Sequence, residues 1–519
     1  MTAPVAVPRR KLIRWSIGSV VGVLGGLWIA VVVLSRAPIL RERLVETLND
    51  RLDAQVELGR FEVRTFPVLR IHGDRLTLRL KGQTNPAPLI EIRHFEVTGG
   101  LFGLLHRPRR FTSVELEGLR ITIPPRTEHD REAGRRAGGT LGSGPVVIDH
   151  VEARDAQLII VPKDARKQPK VFAIHNLALD SVGFNRAMPF TATLTNPIPR
   201  GEIATKGSFG PWVKGDPGST PVTGRYSFGA VDLATITGVG GTLTSLGDFT
   251  GQLSEIDVRG TTSTPDFRLD IGGEPVLLNT RFHAVVDGTN GNTYLRRVDA
   301  TLADTPITVQ GAIVSEPDVT GRTLQIDATI KDGRVEDVLR LAVSAPRPVM
   351  LGRIGLQASL TLPPGTSRVA DRLRLNGRFA LVRAQFTDAG VQEQLATLSR
   401  RAQGRKADEP IARIVSDMHG TFVMQNGMLR FQTLRFDVPG ASVDLTGLYA
   451  LHAQQVDFVG TLAMDAPVSK VMGGGIKGFF LKPFDPLFRK RGKGALVPIT
   501  IRGPREQPKF GVSWRKVFK

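Results

Sequence analysis

Cysteine is absent from all 519 residues of the chain. That excludes disulfides, thiol catalysis and cysteine-ligated zinc or iron–sulfur centres. No Gly-x-Ser-x-Gly nucleophile turn and no helical His-Glu-x-x-His pair occurs, so the common serine hydrolase and zinc protease layouts have no support. The glycine-rich stretch Gly238–Gly247 lacks the Lys-Ser/Thr of a phosphate loop and reads as turns. The histidines His72, His94, His106, His129, His150, His175, His283, His419 and His452 are scattered along the chain. The nearest approach to a constellation is His150 with Asp149, Glu152 and Asp155, which reads as a solvated strand end rather than a metal site. No catalytic residue, metal ligand or cofactor site is assigned, and the chain reads as a non-enzyme. Aromatic side chains are also scarce at 6%, whereas glycine (56) and proline (34) are plentiful, as expected of many strands and turns.

What is present is a recurring line: apolar, any, apolar, any, Gly, any, apolar. It reads Ile203-Thr205-Gly207-Phe209, Val222-Gly224-Tyr226-Phe228, Ile307-Val309-Gly311-Ile313, Leu373-Leu375-Gly377-Phe379-Leu381, Val443-Leu445-Gly447-Tyr449 and Phe458-Gly460-Leu462. A spacing of two places these side chains on one face of a β-strand. Glycine weakens a strand interior, so its recurrence on the apolar face predicts a bend, a bulge or the close approach of another backbone. A second pattern carries a gap of three: Ile90-Ile92-Phe95-Val97, Val114-Leu116-Leu119-Ile121, Phe172-Ile174-Leu177-Leu179 and Leu429-Phe431-Leu434-Phe436. One extra residue in a bulge would return both halves to the same face and bend the strand. The two patterns predict a mainly β protein with an elongated, curled, repetitive sheet and a few short helices. Helices are expected at Val335–Val343 and Gly390–Arg401, the second with Asp388 near its N-cap and Val391, Leu395 and Leu398 on one face. The Asn-Gly pairs at Asn290, Asn376 and Asn426 read as hairpin turns.

One long apolar run exists. Trp15 to Leu34 contains no charged residue and is long enough to cross a hydrocarbon core as a helix. Trp15, Ile17, Val20, Val21, Val23, Leu24, Leu27, Trp28, Ile29, Val31, Val32, Val33 and Leu34 would form this anchor. Arg9, Arg10, Lys11 and Arg14 precede it, placing the N-terminus in the cytoplasm and the β body outside it. Leu40, Leu44, Leu48 and Leu52 then make one helical stripe that packs on something. The chain divides into residues 1–36 (anchor), 37–123 (helix and first strands), 124–145 (a polar surface loop), 146–464 (the repetitive β body) and 465–519.

The layout of span, short helix, "LGRFEVRTFPVLRIHGDRLTLRL" and "FEVTGGLFGLL" resembles the AsmA-like family, which belongs with TamB and other chorein-related, bridge-like lipid-transfer proteins. The end, "FDVPGASVDLTGLYALHAQQVDFVGTLAM" and "VPITIRGPREQPKFGVSW", is similar to the AsmA C-terminal region. The resemblance implies a single-pass protein of the bacterial inner membrane with a periplasmic, taco-shaped β-groove. It further implies a role in phospholipid transport or outer-membrane biogenesis. On that reading the partners are the inner membrane and phospholipid acyl chains, and the groove wall is the set of apolar residues quoted above. The rival is a curled sheet filled by its own side chains, a scaffold assisting outer-membrane protein assembly.

The formal net charge of +20 favours anionic partners, and the excess concentrates at the end. From Asp465 onward there are 13 Lys/Arg against 3 Asp/Glu. Here Phe479, Phe480, Phe484 and Phe488 alternate with Lys477, Lys482, Arg489, Lys490 and Arg491. Such a mixture fits an anionic lipid surface, and equally a loop tucked over the open end of the sheet. With a span and no recognition motif, nucleic acid is not the expected partner.

Overall fold

In a computed structural model, the structure describes residues 54–64, 68–80, 88, 90–100, 109–123, 146–161, 169–183, 186–211, 213, 216–236, 238–270, 272–315, 319, 321–405, 413–466, 495–505 and 507–512. The expected anchor Trp15–Leu34, the leucine-striped helix, the 124–145 loop and the basic segment with Phe479 to Arg491 lie outside them. Among the described residues no helix is long and apolar enough to cross a membrane. The protein is mainly β, as expected. The chain forms two compact units, one within Met1–Pro197, Gly201–Ser227 and Thr250–Leu253, the other within Ile198–Arg200, Phe228–Phe249 and Ser254–Lys519.

The first unit opens with β1 (Ala54–Leu58), β2 (Phe61–Arg64), β3 (Leu69–Leu80), β4 (Ile90–Gly99), β5 (Arg109–Glu117), β6 (Arg120–Ile123), β7 (Val146–Ile160), β8 (Lys170–Val182) and β9 (Met188–Pro197). It continues through β10 (Arg200–Phe209) and the start of β11 (Pro221–Asp232); the end of β11 from Phe228, β12 (Val239–Gly240) and β13 (Thr242–Gln252) up to Phe249 belong to the second unit. The stretch Gly238–Gly247, expected to be turns, is therefore largely strand. Gly238, Gly240 and Gly241 accompany the short β12 and the turn before β13, and Gly247 sits inside β13. The second unit continues with β14 (Glu255–Leu269), β15 (Val276–Val286), β16 (Thr293–Leu302), β17 (Thr305–Val314), β18 (Thr323–Arg334), β19 (Met350–Leu362), β20 (Arg374–Phe386), β21 (Ser416–Gln425), β22 (Met428–Val438), β23 (Ala441–Ala450), β24 (Gln455–Met464), β25 (Ala495–Pro504) and β26 (Lys509–Val512). From β14 onward each strand pairs antiparallel with the next. In the first unit β7 departs from this, running parallel to β5 and β6.

The expected bulges divide into two kinds. In β22, Phe431 and Leu434 face Gly447 and Leu445 of β23, so two residues oppose one and Leu434-Phe436 return to the face of Leu429-Phe431. The same happens in β8, where Ile174 and Asn176 face Leu194 and Thr193 of β9. At Val114-Leu116-Leu119-Ile121 the chain instead breaks into β5 and β6 around Gly118, whose φ is 65°. Ile90-Ile92-Phe95-Val97 keeps register with β3, because β3 carries a matching irregularity at Arg75, φ 52°.

Three α-helices lie among the described residues, α1 (Val335–Arg340), α2 (Val369–Arg372) and α3 (Ala389–Ala402), besides single 3-10 turns at Pro217–Ser219 and Leu233–Thr235. Asp388 caps α3, its carboxylate accepting from the Val391 N–H at 2.8 Å. Asn426-Gly427 forms the β21–β22 turn and Asn290-Gly291 the β15–β16 turn, both with left-handed residues. Asn376-Gly377 does not turn; it sits inside β20. A Cβ on Gly377 would lie 2.7 Å from Phe422 Cζ and 2.6 Å from the Gln357 carbonyl oxygen, so glycine serves close approach there.

Candidate functional site

The strand registers bring the recurring apolar lines together as rows across the second unit. One row runs Ala328, Ala358, Gly377, Phe422, Phe431, Gly447, Phe458, Ile501. The next runs Ile330, Leu356, Phe379, Gly420, Leu434, Leu445, Gly460, Ile499, and the one beyond it Gly333, Ile354, Leu381, Met418, Phe436, Val443, Leu462, Val497. On the other side lies Ile326, Leu360, Leu375, Met424, Leu429, Tyr449, Val456. Val309 joins through Ala328, and Ile313 faces Leu324. In the first unit Gly73, Phe95, Leu116, Ala153, Leu177 and Ala192 form a comparable row. In β10, Ile203 and Phe209 share a half-buried face while Glu202, Ala204 and Lys206 are exposed between them. In β11, Val222 is buried, with Tyr226 and Phe228 half-buried. Leu373 is the exception to strand placement, since it caps the C-terminus of α2 at the foot of β20.

Glycine and phenylalanine alternate within these rows for a packing reason. Phe379, Phe422, Phe431 and Phe458 form a ladder with ring centroids 6.3, 6.4 and 5.8 Å apart. The rings cross strands by lying over glycines: a Cβ on Gly447 would stand 2.6 Å from Phe458 Cδ1. Offset rings at such separations add attraction beyond their buried area. The expectation of a close approach at these glycines thus holds for both neighbouring rings and neighbouring carbonyls.

Burial along the rows is uneven. α1 covers one region, where Ile330, Val335, Met350, Ile354, Leu381 and Ala384 form a buried cluster with Ile307 and Phe379 packed against it. α3 covers another, made of Ala396, Ala402, Ile414, Val438, Ala441, Met464 and Ala466, with Leu462 against it. Four of the expected groove residues (Ile307, Phe379, Leu381 and Leu462) therefore pack in these clusters, and Val222 and Phe458 are buried outside them. Leu375, Val443, Leu445, Phe431 and Leu434 stay half-buried and outside both clusters.

The opposite face is polar and cross-linked by charge. Arg435 Nε donates to Asp437 at 3.1 Å, and this bond with the nearby Asp437 and Asp444 charges holds its guanidinium further above its ordinary range. Arg502 Nε donates to Asp457 at 2.8 Å. Burial alone would raise the Asp257 carboxyl, but hydrogen bonds and charge from His283 and Arg259 outweigh it and hold it below the usual carboxylate range. Glu152 is likewise lowered, chiefly by its hydrogen bond from Arg154, and His150, inside β7 rather than at its end, pairs with Asp180 of β8 at 2.8 Å.

Open depressions occur on the sheet among the described residues. One of about 410 Å³ is lined by Thr191, Thr193, Thr205, Arg225 and Tyr226 among others. Another of about 640 Å³ is bordered by Leu246, Thr262, Thr280, Ile307 and Thr308. Only Tyr226 and Ile307 of the expected groove residues border them, and their threonine-rich walls differ in character from the apolar rows. Two of the histidines scattered in sequence meet in the fold: β3–β4 pairing brings His72 and His94 together with ring centroids 4.8 Å apart. Spacing in sequence could not show this, because the contact is made across two strands.

The chain matches no family model, no curated protein and no solved structure.

Proposed function

We propose that this is a bacterial inner-membrane protein of AsmA-like type, anchored by Trp15–Leu34, whose curled periplasmic sheet carries phospholipid acyl chains along its apolar face. It would thereby support phospholipid transport and outer-membrane integrity. The observation that carries the reading is the set of apolar rows on one sheet face, continuous over eight strands and, away from α1 and α3, largely half-buried, with Met424 and Phe458 buried. An apolar face left partly open has an affinity for alkyl chains, worth about 0.8 kcal/mol for each CH₂ removed from water. Charged headgroups would stay toward solvent, since burying them costs several kcal/mol. The mechanism is passive sliding.

A second reading is favoured by the two helix-covered clusters: a sheet filled mainly by its own side chains, acting as a scaffold for outer-membrane protein assembly. A photo-crosslinking residue placed in living cells separates the two. Incorporated at Phe431 or Leu445, on the apolar face, it should give lipid adducts. At Arg430 or Asp444, the neighbouring positions on the polar face, it should not. Adducts at neither pair, or equally at both, would end the lipid-groove reading and leave the scaffold.

A further inference from the structure

We infer that the polar face of the N-terminal strands carries a divalent-metal site of zinc type, formed by His72, Asp74 and His94. Each of these side chains offers one ligand atom, and the three atoms lie within 4.8 Å of one another; no other such trio occurs among the described residues. The β3–β4 register explains the grouping. Asp74 faces His94 directly and His72 faces Glu96, while Gly73 and Phe95 point to the apolar side between them. Tetrahedral zinc with bonds of about 2.0–2.2 Å needs ligand atoms roughly 3.3 Å apart. The present separations, from 2.5 Å between His94 Nδ1 and Asp74 Oδ1 up to 4.8 Å, bracket that value.

Two further observations favour a cation here over a plain ion pair. Asp74 Oδ1 is buried and has no hydrogen-bond partner, although His94 Nδ1 stands 2.5 Å away. The contact is an ion pair that is not aligned as a hydrogen bond, and a cation seated between the two atoms would take both as ligands. Secondly, the carboxylate sits on fixed backbone. The Asp74 N–H donates to Arg60 O at 2.9 Å and its carbonyl accepts from the Gly59 N–H at 3.1 Å, just before the irregular Arg75. Glu96 completes the arrangement. One oxygen is held by Arg70 Nε at 3.1 Å, and the other lies 3.9 Å from His72 Nδ1, beyond hydrogen-bond length but near enough to pair with that imidazole once an ion is bound.

Two imidazoles with one carboxylate suit zinc and its borderline neighbours better than calcium or magnesium, which take oxygen ligands. With three protein ligands, one coordination position is left for water. The ion would clamp β3 to β4 where the strands bend.

The test is titration of the full-length protein in detergent with Co²⁺, read by its visible absorption and by competition with Zn²⁺. One ion per chain is expected, with tetrahedral-type band intensity. His94→Gln and Asp74→Asn should each weaken binding at least about tenfold, and Glu96→Gln should do so by a smaller factor within the range known for such outer partners, all with unchanged β circular dichroism. Electron paramagnetic resonance of the Cu²⁺-loaded unmodified protein should show two coupled imidazole nitrogens, a readout that needs no variant to fold. Absence of stoichiometric binding, fewer than two coupled nitrogens, or undiminished affinity in a folded His72→Gln/His94→Gln variant would overturn the site.

Discussion

Leu381 and Leu445 offer a controlled comparison, because both lie on the apolar face of the second unit but in different surroundings. Leu381 is 7% exposed and belongs to the cluster beneath α1, with Ile354 and Ala384 beside it. Leu445 is half-buried between Leu434 and Gly460 and belongs to neither cluster. Truncating a leucine in a closed core loses its transfer energy and leaves a cavity, costing about 2–5 kcal/mol. At Leu445 only part of a full burial energy of about 1.5–3 kcal/mol is at stake, and the void opens outward instead of remaining as a cavity. Leu381→Ala should therefore cost about 3–4 kcal/mol and Leu445→Ala about 1 kcal/mol. Equilibrium urea unfolding of the full chain, followed by circular dichroism in the strand region, measures both within one unit's transition. Equal losses would show that the face around Leu445 is closed, and would refute the open-groove argument at its root.

Three other outcomes are expected. Gly447→Val should destabilise by about 1–3 kcal/mol, because the new side chain meets Phe458 and the Asp457 carbonyl; a neutral effect in a thermal melt would mean the ring is free to move aside. Asp287 is held below the usual carboxylate range chiefly by the Thr289 hydroxyl, with the Thr289 and Asn290 amides and the Asn290 side chain adding to it. Its contribution of about 1 kcal/mol should be fully present above the unfolded-state value and lost as pH falls through the folded one, so the stability gap between wild type and Asp287→Ala should close on acidification, and a pH-independent gap would contradict this. A peptide covering residues 465–494 should bind anionic vesicles with an affinity that falls with salt, and Phe479→Ser with Phe480→Ser should remove the salt-insensitive remainder; binding to neutral vesicles alone would assign the segment a different role.

Much of the fold was legible because period-two lines are a direct record of strand faces. Leu373-Leu375-Gly377-Phe379-Leu381 and Val443-Leu445-Gly447 predicted which side chains share a face, and the registers join them in rows. The gap of three predicted the bulges at β22 and β8 for the same reason. Asn376-Gly377 misled, since the dipeptide that favours a turn is also the smallest available beside a crossing ring. Which groove residues fall beneath helices was not legible: Leu381 and Leu445 look alike in sequence, and α1 and α3 select between them through tertiary contact alone. The His72–His94 approach was hidden because its partners are brought together by antiparallel pairing rather than by spacing along one element.

The parallel course of β7 has consequences for how the chain assembles. From β14 onward neighbouring strands are successive in sequence, so pairing can spread one hairpin at a time with little entropy lost at each step. β7 places Val146 opposite Arg109 and Arg154 opposite Glu117, so the chain between Ile123 and Val146 has to travel back along the whole strand before any of these bonds can form. A nascent chain that has emerged as far as Ile123 holds β3, β4, β5 and β6 ready to pair, with one edge of β5 and β6 still bare. That edge presents unpaired amides and carbonyls to any passing strand until β7 arrives. The order of synthesis thus gives the first unit a vulnerable interval, and substitutions that weaken β7 should reveal themselves as aggregation during expression before they register as lost stability in the folded protein.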